Sequence, residues 1–131
     1  MILLDTHVVT WVTAKPSQLS SRAAAAIRRA SAEDGVAIAA ITLWELAFLF
    51  SRGHLRAPGT IESAVRGIVE EAGTSIKPLT LEIAVLAAQF PDDFSHDPVD
   101  RLIAATARAE GMTLITRDER IRQSPLLKTL W

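Results

Sequence analysis

Four acidic residues lie in contexts where carboxylates can do chemistry. Asp5 directly follows the apolar run Ile2-Leu3-Leu4, and Glu45 sits within Thr42-Leu43-Trp44-Glu45-Leu46. Asp100 belongs to His96-Asp97-Pro98-Val99-Asp100, and Asp118 closes Leu114-Ile115-Thr116-Arg117-Asp118. Two carboxylates ~5 Å apart repel by about 3 kcal/mol at an effective dielectric of roughly 20, so four in one place need protons or a cation. A hard divalent ion with oxygen ligands is the economical remedy, and Mg²⁺ or Mn²⁺ suits an all-carboxylate shell. Such a site fits phosphodiester hydrolysis, in which the metal activates water, positions the phosphate and offsets charge on the leaving oxygen. No side-chain nucleophile is then required. The chain has no Cys and no Tyr, which agrees with that chemistry and excludes thiol catalysis, disulfide scaffolds and thiolate zinc sites.

Each acid also has a purely structural reading. Thr42 to Glu45 matches a capping box, in which Glu45 bonds back to the backbone of Thr42. Asp97 reads as an N-cap and Asp100 as a first-turn acid favoured by the helix dipole. Asp118 can cap a turn through Arg120. Asp5 has the weakest structural reading, because a carboxylate that ends a buried strand is costly to desolvate without a partner.

The elements that must position these groups follow from period and punctuation. Ile2–Leu4, Val36–Ala40, Ser75–Leu79 and Met112–Thr116 read as strands, with Leu126–Leu130 as a fifth. Pro78 within the third run puts that strand at a sheet edge. Segments 7–14, 20–32, 42–52, 61–72, 80–90 and 97–110 read as helices, several of them stopped by Gly35, Gly53, Gly73 or Gly111. The segment from Thr42 is apolar all round, which predicts a well-covered helix, part of which faces a partner if it is not core. Strand and helix alternate throughout 131 residues with no linker or repeat. The expectation is one α/β domain over residues 1–131, an α/β/α sandwich around a mostly parallel sheet of four to five strands. In such sheets ligands bind beyond the carboxyl ends of the strands, where Asp5, Glu45 and Asp118 fall.

Composition narrows the partners. The formal net charge is -1, so no strong basic field marks a nucleic-acid binder. Setting the four acids aside leaves the 14 Lys and Arg in small excess over the remaining acidic residues. Arg101, Arg117, Arg120 and Arg122 are the candidates for phosphate contacts, with a solvated face carrying local ion pairs as the alternative. His7, His54 and His96 lack metal-ligand spacing, although His7 and His96 adjoin members of the quartet. Trp11, Trp44, Phe48 and Phe50 occupy apolar helical contexts and read as core or interface, not as base-stacking platforms. Neither a Gly-rich phosphate loop nor a membrane-length apolar run occurs, and a start without a basic n-region points to a cytoplasmic protein.

Taken in series, Leu3-Leu4-Asp5-Thr6-His7, Thr42-Leu43-Trp44-Glu45-Leu46, His96 through Ala105, and Leu114 through Asp118 resemble the PIN domain, most of all the VapC toxin ribonucleases of toxin–antitoxin pairs. The final Leu130-Trp131 is similar to that subgroup as well. The resemblance implies a Mg²⁺-dependent endoribonuclease, commonly a homodimer, inhibited by a cognate VapB-type antitoxin. It implies that Asp5, Glu45, Asp100 and Asp118 form the acidic quartet, with Asp5 and Asp100 the principal metal ligands. Thr6 and Thr116 match small polar positions beside that site, and Asp97 matches a further acid. Val99 departs from the pattern, since close relatives often carry an aromatic there. The competing readings are a non-catalytic cation-binding α/β module and a DNA-directed metal nuclease.

Overall fold

Three apolar residues are enough to make the central strand, because both of its faces are covered. In the computed structural model, which describes residues 1–131, β1 (Ile2–Leu4) pairs in parallel with β2 (Val36–Ala39) on one side and β4 (Thr113–Ile115) on the other. β3 (Thr74–Lys77) and β5 (Thr129–Leu130) complete a parallel five-stranded sheet of order β3-β2-β1-β4-β5. The helices are α1 (Thr6–Ala14), α2 (Ser21–Ala32), α3 (Ala40–Ser51), α4 (Ile61–Glu71), α5 (Leu81–Ala88), α6 (Pro98–Ala109) and the short α7 (Glu119–Arg122).

The strand residues alternate between two cores. Leu3, Ala37, Ala39 and Leu114 pack with Ile83 and Ala87 of α5 and Val99, Ile103 and Ala107 of α6. Leu4, Val36, Ile38 and Ile115 pack with Val8 and Val9 of α1, Ala23 and Ile27 of α2, and Leu46 of α3. This is the expected α/β/α sandwich. It also explains why the central strands β1, β2 and β4 are largely apolar, since each face meets a helical layer. Burial of the twelve largest such side chains is essentially complete, Leu3, Leu4, Ile38 and Leu114 among them.

Several element boundaries move, each for a local reason. α3 begins at Ala40, directly after β2, with Ala39 as an N-cap that provides no side-chain bond. The capping-box reading of Thr42 and Glu45 therefore fails: Thr42 lies inside the helix, and its hydroxyl bonds that of Thr6 at 3.1 Å. α3 is also less covered than its composition implies, with Trp44 55% and Phe48 38% exposed. β3 is an edge strand, but it ends at Lys77, before Pro78. α7 is the turn expected after Asp118, formed as a single helical turn that Asp118 caps through the Arg120 N–H. Thr80 and Asp97 cap α5 and α6 as their side chains allow. No helix is long and apolar enough to cross a membrane.

Candidate active site

The parallel sheet carries its carboxyl ends to one rim. β1 delivers Asp5 there, β4 delivers Thr116 to Asp118, α3 rises from β2 with Glu45, and α6 starts nearby with Asp97 and Asp100. All five acids line one pocket of ≈ 390 Å³, together with His7, Val8, Trp11 and Arg117. Segments far apart in the chain therefore meet in one polar cavity.

Asp5 is held at both oxygens. Its Oδ1 accepts from the Thr6 backbone N–H at 2.8 Å, and its Oδ2 accepts from the Thr116 hydroxyl at 2.7 Å. It is thus the N-cap of α1, a structural duty that the sequence reading did not give it. The Thr116 oxygen in turn accepts from the Asp118 N–H at 3.1 Å, tying the two acid-bearing segments together. Asp118 caps α7 through the N–H groups of Arg120 and Ile121, so capping and pocket lining coexist in one side chain. Asp97 likewise caps α6 by accepting from the Val99 N–H at 2.8 Å. Asp100 accepts from the buried Ser95 hydroxyl at 2.7 Å. Ser95 is a contact that sequence reasoning missed, and a lone serine before His96 carries no signal that would have revealed it.

The electrostatics show the strain of this assembly. Burial pushes the Asp5 carboxyl up, opposed by the Thr116 and Thr6 bonds and by His7, and reinforced by Asp118. Burial also raises Glu45, with the Thr6 hydroxyl pulling back and Asp5 adding repulsion. Asp100 is pushed up to about 6, first by desolvation and then by the charges of Asp97, Asp5 and Asp118, against the Ser95 bond. Desolvation and mutual repulsion together favour the neutral forms. No three of these groups, as placed, converge closely enough to share one ion. In kind, the donor set is anionic and all-oxygen, which is what a hard dication requires.

The remaining sequence candidates separate. Arg117 lines the pocket. Arg101 is engaged within the fold: its guanidinium donates to the carbonyls of Ser95 (2.7 Å), Phe90 (2.8 Å), Pro91 (3.1 Å) and Ala87 (3.3 Å). It braces the turn between α5 and α6, and so positions Ser95. Arg120 borders a different cavity, with Pro91 and Phe94, and Arg122 another beside Trp131. His96 bonds the Asp92 carbonyl at 2.8 Å and stands outside the acid pocket. Trp11, expected in the core or an interface, packs against the core and also lines the pocket. His7 and Trp11, four residues apart on α1, share a helical face, and that spacing was the available signal.

A parallel α/β/α domain with acids gathered at the carboxyl rim is matched by the family model of the PIN domain over residues 2–125, and the chain belongs to that family. Within it, the chain is similar to Ribonuclease VapC22 of Mycobacterium tuberculosis, 37% identical over 132 aligned positions that cover 99% of this chain and 98% of that protein. Among solved structures, VapBC2 from Rickettsia felis bound to a promoter DNA fragment superposes with a TM-score of 0.73 at 18% identity, covering 99% and 98% of the two chains. DNA-bound VapBC from Salmonella typhimurium gives 0.72 at 20% identity, again covering 99% and 98%. These two likenesses show the shared fold.

Proposed function

We propose that this chain is the toxin of a VapBC-type toxin–antitoxin pair, a Mg²⁺-dependent endoribonuclease that hydrolyses RNA phosphodiester bonds. The observation that carries the reading is the meeting of Asp5, Glu45, Asp100 and Asp118, from four separate segments, in one pocket where three of them titrate above their ordinary range. The similarity to Ribonuclease VapC22 over the whole chain supports it.

Asp5 and Asp100 are the principal ligands for the ion, with Glu45 and Asp118 completing its surroundings. Mg²⁺ characteristically takes only one or two carboxylates and keeps several waters, so a ring of separated acids suits it better than a tight cage. When bound, the dication supplies an activated water and neutralises charge on the phosphate. The chain's own contribution is orientation. The bonds from Thr6 and Thr116 fix both oxygens of Asp5, Ser95 fixes Asp100, and the Thr6 hydroxyl, paired with that of Thr42, favours the charged form of Glu45. Thr6, Thr116 and Asp97 thus support the site without acting on substrate, and Arg117 is the remaining candidate for phosphate contact there.

We extend the reading to partners: a VapB-type antitoxin and a second copy of the chain in the cytoplasm. The exposed Trp44 and Phe48 on α3, and Leu81 (83% exposed) with Val85 on α5, are apolar surface of the kind partners cover. The decisive assay incubates purified protein with matched single-stranded RNA and DNA, with Mg²⁺ or Mn²⁺ and with chelator. RNA cleavage that requires the metal and is abolished by Asp5→Asn in a folded protein is the expected result. Cleavage in chelator, or by Asp5→Asn at the wild-type rate, overturns it, and preferential cutting of DNA turns it into a DNA nuclease.

A further inference from the structure

The pocket is not lined by acids alone: His7, Val8, Trp11 and Arg117 share it with them. His7 and Trp11 stack with ring centroids 6.0 Å apart and planes 21° from parallel. Trp131, the residue after β5, packs against Trp11 at 5.8 Å and 58°. The three rings form a continuous aromatic column that is half-buried at Trp131 and Trp11 and exposed at His7. The Arg117 guanidinium lies over the Trp11 ring, 5.8 Å from its centroid. It takes part in none of the protein's ion pairs, although five acids line the same cavity.

Packing alone does not call for this column, since an imidazole on the solvent end of an indole buries little apolar surface. Nucleic-acid chemistry does call for it. Every base has a π-face that stacks on aromatic side chains, and only an unpaired base is free to do so. An acid-lined pocket repels phosphate, and a cation held beside the stack offsets that repulsion where the backbone must pass. Resting on the ribonuclease reading above, we infer that His7 is the outer face of an aromatic platform for the base of an unpaired ribonucleotide next to the scissile bond, with Arg117 holding that nucleotide's phosphate. Trp11 and Trp131 act through His7, as the backing that fixes its plane.

The test measures steady-state cleavage of a random-sequence single-stranded RNA pool by the full chain with Mg²⁺. His7 and Arg117 are exposed, so their replacement leaves the fold intact. His7→Ala is expected to raise KM by roughly 5- to 150-fold, the loss associated with one stacked base, and to change kcat less than about threefold. His7→Phe is expected to restore KM, because it keeps an aromatic face at that position. Arg117→Gln is expected to raise KM and to lower the slope of log KM against log salt by about one. An unchanged KM in His7→Ala overturns the platform, as does a His7→Phe enzyme no better than His7→Ala. If the wild-type chain cuts no RNA at all, the ribonuclease reading fails and the platform with it. If the wild type cuts and His7→Ala matches it, the platform alone fails.

Discussion

Replacing a site acid by its amide should make this protein more stable while disabling it, and Asp100→Asn is the sharpest case. The Asp100 carboxyl is raised from the ordinary 3.8 to about 6, mainly by desolvation and then by Asp97, Asp5 and Asp118. Unscreened, that displacement corresponds to about 3 kcal/mol of disfavoured ionisation at neutral pH. The residue is only half-buried, so solvent screening cuts the expressed part to ~1 kcal/mol. The sign follows from linkage. Below about pH 3.8 the carboxyl is protonated in folded and unfolded chains alike, and its charge costs nothing. Between there and about pH 6 the folded chain holds the proton more tightly, so stability falls as pH rises. Above about pH 6 the group is ionised in both states and the whole cost is felt. The amide carries no charge and keeps an oxygen to accept from the Ser95 hydroxyl, as the carboxylate does at 2.7 Å. In the absence of metal, Asp100→Asn should therefore raise Tm by ~3–6 °C at about pH 7.5 and by little at about pH 4. Added Mg²⁺ should raise the Tm of the wild type and leave that of the variant nearly unmoved. Differential scanning calorimetry across this grid, with RNA cleavage alongside, provides the measurement. A variant less stable than wild type at pH 7.5, or a Tm difference independent of pH, would refute the electrostatic account of the pocket.

Further outcomes follow from the same geometry. Magnesium affinity should fall as pH drops through about 6, since a protonated Asp100 offers no charge; isothermal titration at about pH 5 and 7.5 checks this, and equal affinities would remove Asp100 from the ligand set. Thr116→Val strips Asp5 of its 2.7 Å donor and leaves the Asp118 N–H without its acceptor, so a loss of about 1–3 kcal/mol in urea denaturation and weaker metal binding are expected. Arg101→Met keeps the stem but loses four carbonyl contacts, and should cost ~2–4 kcal/mol of stability; a variant of wild-type stability with weakened RNA binding would restore Arg101 to the phosphate-contact role. Leu81→Glu alters a side chain 83% exposed, so the fold should persist while sedimentation shifts from dimer to monomer if α5 forms the copy-to-copy face.

Order and type of the elements were legible in the chain because their causes are local. Apolar runs of three or four residues bounded by turn residues become strands, and a Pro98 start with a Gly111 stop frames α6. The acids at the ends of those runs were legible for the same reason, since parallel topology sends every strand end to one rim. What stayed hidden depends on partners distant in the chain. Asp5 and Thr116 meet across 111 positions, and only the placement of β1 beside β4 makes one the donor of the other. Arg101 reads as a surface cation, yet the α5–α6 turn folds four carbonyls around it. The apolar residues of α3 read as core, but a sandwich layer covers one face of a helix, and Trp44 falls on the other. Trp11 packs against the core as its apolar context implies, yet it also lines the pocket, because a side chain's periodicity says which face it shares and not what the neighbouring layer places opposite. Local pattern settles conformation within about ten residues; burial, hydrogen-bond partners and shifted ionisation belong to contacts that exist only once the sheet has closed its order.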